Sequence, residues 1–229
     1  MKKFELTNEF VTNMFGTKLF RIRALVEFGD VEAGELGGYV EKESNLGHDD
    51  NAWVYGNAWV YGDAQVSGDA LVYDNARVYG NARVYDNAQV SGNARVHGDA
   101  QVSGDALVYD NALVYDNAWV YDNAWVYGNA QVSGDARVCG DARVCGNGDY
   151  AYAHGFGSVN RTTTFFRLKD GGVGVRCGCF YGTLAQFRDK IRETHGETKK
   201  AQEYLMLADL MELRFEEDEN EVGNRKYVE

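Results

Sequence analysis

The sequence predicts a mainly β protein built as a parallel solenoid, and three observations predict it. Over residues 51–146 a six-residue unit, Asn/Asp, Ala, any residue, Val, any residue, Gly/Asp, recurs 16 times without an insertion. Repeats of that regularity mark a solenoid. Inside each unit, small and β-branched residues alternate with variable ones, which is the period of a short strand with one buried face. Between units, Gly or Asp followed by Asn or Asp supplies turn chemistry, because these residues reach left-handed backbone conformations cheaply.

One copy, Asn57, Ala58, Trp59, Val60, Tyr61, Gly62, shows how the unit works. Val60 is stiff and β-branched, suits a pleated surface, and contributes about 1.5–3 kcal/mol when fully buried. Ala58 has almost no side-chain volume and fits a position crowded by a corner. Each unit is therefore one strand plus one corner.

The spacing of Val54 with Ala58, Val60 with Ala64, and so on to Val138 with Ala142 resembles the hexapeptide-repeat family of left-handed parallel β-helices. The consensus of that family is an aliphatic residue with a small residue four positions later. The resemblance implies three units per triangular coil, so that residue i stacks on residue i+18. It also implies left-handed winding, against the usual hand of crossover connections. The charges give a separate check on the coil size. With 18 residues per coil, Asp63, Asp99 and Asp135 alternate with Asn81 and Asn117, and Asp74, Asp86, Asp110, Asp116 and Asp122 stack only on Gly. No two of these carboxylates then meet at the ~4.8 Å strand spacing, where they would repel. A four-sided coil of 24 residues would put Asp110 over Asp86. Asn57, Asn75, Asn93, Asn111 and Asn129 form an all-Asn column able to share amide hydrogen bonds.

The flanks read as caps, which a solenoid needs because an open end exposes a template edge. In residues 1–50, the alternation over 18–26 predicts a strand, and 4–6 can pair with it. Gly34 to Val40 then leads into a degenerate first coil in which Val40 and Leu46 lie six apart. The stretch 20–40, together with Asn45 and Leu46, resembles the opening of hexapeptide-repeat proteins of bacteria and their prophages that are described as transferases. In residues 147–229 the repeat ends. Strands over 161–168 and 173–180 are joined by Lys169-Asp170-Gly171-Gly172. Thr183 with Gln186 is a capping box that opens a helix to about Thr194. A second helix spans about 197–215, and 216–221 is an acidic, solvated run. This ββαα piece is expected to cap the far end or to bind a partner.

Composition narrows the function classes. With 229 residues, a net charge of −12 and a pI near 4.8, the surface disfavours general nucleic-acid binding. The start has no apolar run of a signal peptide, and no stretch is long and apolar enough for a membrane helix. Cys139, Cys145, Cys177 and Cys179 form no CxxC pair, which predicts a reducing, cytoplasmic setting and no metal site.

Function is expected on the outward side of the coils. The variable positions carry Trp53, Trp59, Trp119 and Trp125 and nine tyrosines between Tyr55 and Tyr127, more aromatic surface than a monomer needs. Sorted by column, Trp53, Leu71, Leu107 and Trp125 with Tyr55, Tyr73, Tyr109 and Tyr127 make one face apolar, and it is expected to be the interface of a homotrimer, the habit of the resembled family. Another face, with Gln65, Arg83, Gln101, Ser67 and Ser103, is polar.

The remaining face stacks Arg77 on Arg95, with Tyr61, Tyr79, His97 and Tyr115 beside them, as a site for an anionic, nucleotide-like ligand. The eleven Asp against five Arg of the repeats also suggest nucleic-acid mimicry, but Asp alternates with Asn and forms no continuous charged stripe. The reading is a noncatalytic binding scaffold that captures such a ligand or a host protein, as a phage-borne sponge would, without a cofactor. Its alternative is the acyl transfer implied by the resemblance, with a coenzyme A thioester as donor and His97 as general base. The single repeat histidine and the missing acceptor loop speak against that alternative.

Overall fold

The computed structural model describes residues 2–157 and 161–216. A long hairpin, β1 (Phe4–Thr12) with β2 (Lys18–Ala24), opens the chain, and β3 (Leu36–Val40) pairs antiparallel with β2. Sixteen two-residue strands follow, from β4 (Trp53–Val54) to β19 (Arg143–Val144), one per sequence unit. They stack into three parallel sheets in which every third strand is a neighbour, for example β5 (Trp59–Val60), β8 (Arg77–Val78) and β11 (Arg95–Val96). The result is a parallel β-solenoid of about six turns, with partners such as Arg77 and Arg95 or Val78 and Val96 one 18-residue coil apart.

The repeated valines and alanines fill the interior. From Val54 to Val144 each is essentially unexposed, as expected of a dry core in which β-branched residues stack on themselves. The corners hold the left-handed residues: Asp74, Asp86, Asp110, Asp116 and Asp122 have φ of 58–60°. Each carboxylate accepts a hydrogen bond from the glycine N–H one coil on, as in Asp74 from Gly92 at 3.2 Å and Asp110 from Gly128 at 3.1 Å. The neighbouring columns are linked by side-chain amides, with Asn81 donating to Asp99 at 2.8 Å and Asn93 to Asn111 at 3.3 Å.

The first coil differs in length from the rest. Val40 pairs with Val60, and Leu46 bridges to Val66, both twenty residues on. The two extra residues lie between Leu46 and Trp53, and Lys3 ties the bulge down. Its ammonium donates to the carbonyls of Asp49, Asp50 and Ala52 at 3.5, 3.2 and 2.8 Å and sits 4.6 Å from the Phe28 ring centre. Asn45 is fully buried and donates to the carbonyls of Gly62 and Ala64 at 3.0 and 2.8 Å.

Beyond the repeats, four strands make an antiparallel sheet in sequence order: β20 (Tyr150–Phe156), β21 (Arg161–Arg167), β22 (Val173–Cys177) and β23 (Phe180–Thr183). Two helices follow, α1 (Leu184–His195) and α2 (Lys199–Phe215). The expected ββαα piece thus has two further strands. The single strand expected over 173–180 turns back at Gly178, whose φ is +59°. The expected capping box is present, Gln186 N–H donating to Thr183 Oγ1 at 3.3 Å and Thr183 N–H to Gln186 Oε1 at 2.9 Å. Alternation along β21 joins two cores: Phe166 packs into the end of the rod and Phe165 packs against the helices. The acidic run from residue 217 on lies outside the described residues.

Candidate functional site

Because side chains alternate along a strand, the third and fifth positions of every unit point outward, and each face carries two columns of side chains. The first face brings together the residues expected to bind an anion. Arg95 pairs in register with Arg77. Beside them Tyr61, Tyr79, His97 and Tyr115 stack in one continuous ladder, with centroid spacings of 4.9, 4.7 and 5.3 Å and interplanar angles of 3°, 13° and 14°.

The ladder alters the chemistry expected of these rings. Inner ring faces are turned toward one another, so along its length the column offers edges and hydroxyls. Burial lowers the His97 pKa, with Arg95 acting in the same direction and Asp116 against it. Burial raises the Tyr61 pKa, which keeps its hydroxyl a donor at neutral pH. Arg77 lies over the Trp59 ring at 4.5 Å. Arg95 is exposed, and it takes part in none of the ion pairs among the described residues.

A rule not anticipated from the sequence places two further arginines. Arg137 lies over Trp119 at 4.9 Å and Arg143 over Trp125 at 4.0 Å, so each exposed tryptophan carries the arginine 18 positions later on its ring. The signal was available in the sequence as the spacing Trp59/Arg77, Trp119/Arg137 and Trp125/Arg143.

The second face holds the residues expected at a trimer interface, and it corrects that expectation in two respects. Trp53 is fully buried: Phe28 packs edge-on at 5.3 Å and Phe4 at 6.1 Å, so the N-terminal cap already covers it and leaves no surface of it for a second subunit. The apolar strip is also discontinuous. Gln89 stands in register between Leu71 and Leu107, and Ser91 occupies the column of Tyr55, Tyr73, Tyr109 and Tyr127. A groove of about 760 Å³ runs past Tyr55, Leu71, Tyr73, Asn75 and Gln89. A second hollow of about 310 Å³ lies between Tyr73 and Tyr109. Tyr109 stacks on Tyr127 at 5.1 Å.

The third face is partly occupied by the C-terminal sheet, with Arg176 lying 6.0 Å over the Tyr121 ring. Cys139 is buried there and burial raises its pKa. Cys139, Cys145, Cys177 and Cys179 form no disulfide among the described residues. Among the described residues no group of three His, Cys, Asp or Glu side chains is arranged to hold a metal ion, and no helix is long and apolar enough to cross a membrane.

The family model described as the YdcK β-solenoid repeat matches residues 64–78, 76–89, 88–104, 100–116, 106–122, 118–134 and 130–146. No curated protein matches the chain. The matched segments lie on the stacked coils, and with the observed topology they make this a repeat β-helix protein.

Proposed function

We propose that this chain is a noncatalytic binding scaffold whose Arg77–Arg95 column takes the anionic part of a small ligand or of a host protein. The observation that carries the reading is Arg95, an exposed residue whose backbone pairs in register with a second arginine and whose guanidinium has no carboxylate paired to it among the described residues. Two like charges one rung apart repel at the strand spacing of ~4.8 Å unless an anion bridges them. The tyrosine hydroxyls of the adjoining ladder add neutral donors beside the charge. Guanidinium groups suit phosphate because their fork of N–H donors can bind two oxygens at once.

Acyl transfer finds less support. A general base needs a partner that orients it. His97 is held by ring stacking on both sides, with no carboxylate or hydroxyl hydrogen-bonded to it among the described residues. Self-association fits the upper part of the second face, where Trp125 is exposed next to Tyr109 and Tyr127.

Calorimetric titration with pyrophosphate and ATP tests the reading. The expected outcome is saturable binding that Arg95→Ala weakens by about tenfold, the worth of one charge-assisted contact, with no thiol released from acetyl-coenzyme A by either protein. Binding indifferent to Arg95→Ala would discard the column. Thiol release that His97→Ala abolishes would establish the enzyme instead.

A further inference from the structure

The fifth-position columns of two faces differ at two rungs, His97 against Ser91 and Ser133 against Tyr127. On the first face every rung of the ladder is a ring, and His97 fits between Tyr79 and Tyr115 with centroids at 4.7 and 5.3 Å. On the second face the column runs Tyr55, Tyr73, Ser91, Tyr109, Tyr127, so the place that His97 fills on the first face is left without a ring. Tyr73 and Tyr109 are two rungs apart, about 10 Å at the ordinary strand spacing, which leaves room for one planar ring between them. Tyr109 lies flat against Tyr127 at an interplanar angle of 7°. Its other face is therefore turned along the column toward Ser91.

The space is a hollow in the surface. It measures about 310 Å³ and is lined by Tyr73, Gln89, Ser91, Leu107, Tyr109 and Trp125 among others, at the small end of the range of about 300–1,000 Å³ typical of ligand pockets. No charged side chain lines it. Gln89 Oε1 accepts the Tyr73 hydroxyl at 3.2 Å, which fixes the amide and leaves its Nε2 hydrogens to donate elsewhere. The Ser91 hydroxyl adds a group that both donates and accepts. A purely hydrocarbon occupant would leave these polar groups desolvated and unpaired.

We infer that the gap at Ser91 is a binding slot for an uncharged planar heteroaromatic ring of the nucleobase type, sandwiched between Tyr73 and Tyr109 with an acceptor on its edge facing the Gln89 amide. Such stacking tolerates any base with a π face, while the amide selects the edge. The inference does not rest on the anion reading, because no Arg or Lys lines the slot. The same motif recurs twelve residues on, where Tyr85 donates to Gln101 at 3.3 Å beside Ser103. There the upper ring, Tyr121, is already engaged by Arg176 at 6.0 Å, so Ser91 marks the open copy.

The test titrates the full chain with adenosine, with guanosine and with ribose. At least one nucleoside is expected to bind saturably and ribose is not. Ser91→His, which rebuilds the filled ladder of the first face, is expected to weaken nucleoside binding by about tenfold or more without lowering the melting temperature. Gln89→Leu is expected to weaken it and to level the preference between adenosine and guanosine, and it carries the test should Ser91→His fail to fold. Absence of saturable binding by both nucleosides at millimolar concentration would overturn the inference, as would affinity unchanged in the variants. Loss of self-association in Ser91→His without any nucleoside binding would also overturn it, assigning the slot to a ring of a second copy.

Discussion

Aspartate in a left-handed conformation is the residue-scale device that turns the corners. A non-glycine residue there costs about 1–2 kcal/mol, and the hydrogen bond from the next coil's glycine N–H offsets much of it. The partner must be glycine for a steric reason: a Cβ on Gly92 would come within 2.9 Å of the Asp110 backbone nitrogen, and one on Gly104 within 2.8 Å of that of Asp122. The alternation of Asp over Gly is legible in the sequence as avoidance of like charges. Backbone crowding, its second cause, needs coordinates to be seen. Asp110→Ala is expected to lose about 1–2 kcal/mol in urea unfolding, since it keeps the strain and loses the acceptor. Asp110→Gly relieves the strain as it loses the bond and is expected to stay within about 0.5 kcal/mol of wild type; equal losses for the two would refute the strain account.

At the scale of the strand, stability beyond the core comes from what each outward residue meets one coil away. Rings meet rings in the Tyr61–Tyr115 ladder, and guanidinium groups meet indoles at Trp59, Trp119 and Trp125. Trp53 departs from the pattern because Leu71 follows it in register and the N-terminal cap covers it. A double-mutant cycle of Trp59→Leu with Arg77→Met is expected to give a coupling of about 0.5–1 kcal/mol. A coupling near zero would reduce the pairing to coincidence of register. The columns themselves follow from a period of 18, so their membership is legible in the sequence. Which columns stay open is decided by the caps.

Across the whole molecule, the caps and the buried ionisable groups set the response to pH. Burial pushes the hydroxyls of Tyr109 and Tyr204 up to about 12, against about 10 in an unfolded chain. Above pH ~10 the unfolded chain has lost protons that the folded one keeps, so this stability, complete below that pH, drains away as pH rises toward 12. Lys3 acts in the opposite sense. Burial lowers its pKa from 10.5 to about 8, so between those values the unfolded chain holds a proton the folded chain has released, and stability rises with pH. Melting temperatures measured from pH 7.5 to 11.5 are therefore expected to rise above about 8 and fall beyond about 10, with Lys3→Met abolishing the rise and sparing the fall. A continuous decline from pH 8 in both proteins would contradict the assignment of Lys3.

The sequence by itself determined the rod: a strict six-residue period with Val and Ala inside leaves a parallel solenoid as the arrangement that buries them all, and the charge pattern selects three strands per turn. It also placed Arg77 on Arg95 and the four rings beside them, because a fixed coil length converts spacing directly into adjacency. Tertiary structure alone decided that Trp53 is sealed, that Tyr150–Phe156 and Phe180–Thr183 complete the terminal sheet, and that the ladder closes its ring faces while Ser91 leaves a gap. Those outcomes depend on how non-repeating segments fold back and on the angle each ring adopts. Neither is encoded in a period, and both are settled by packing against neighbours far away in the chain.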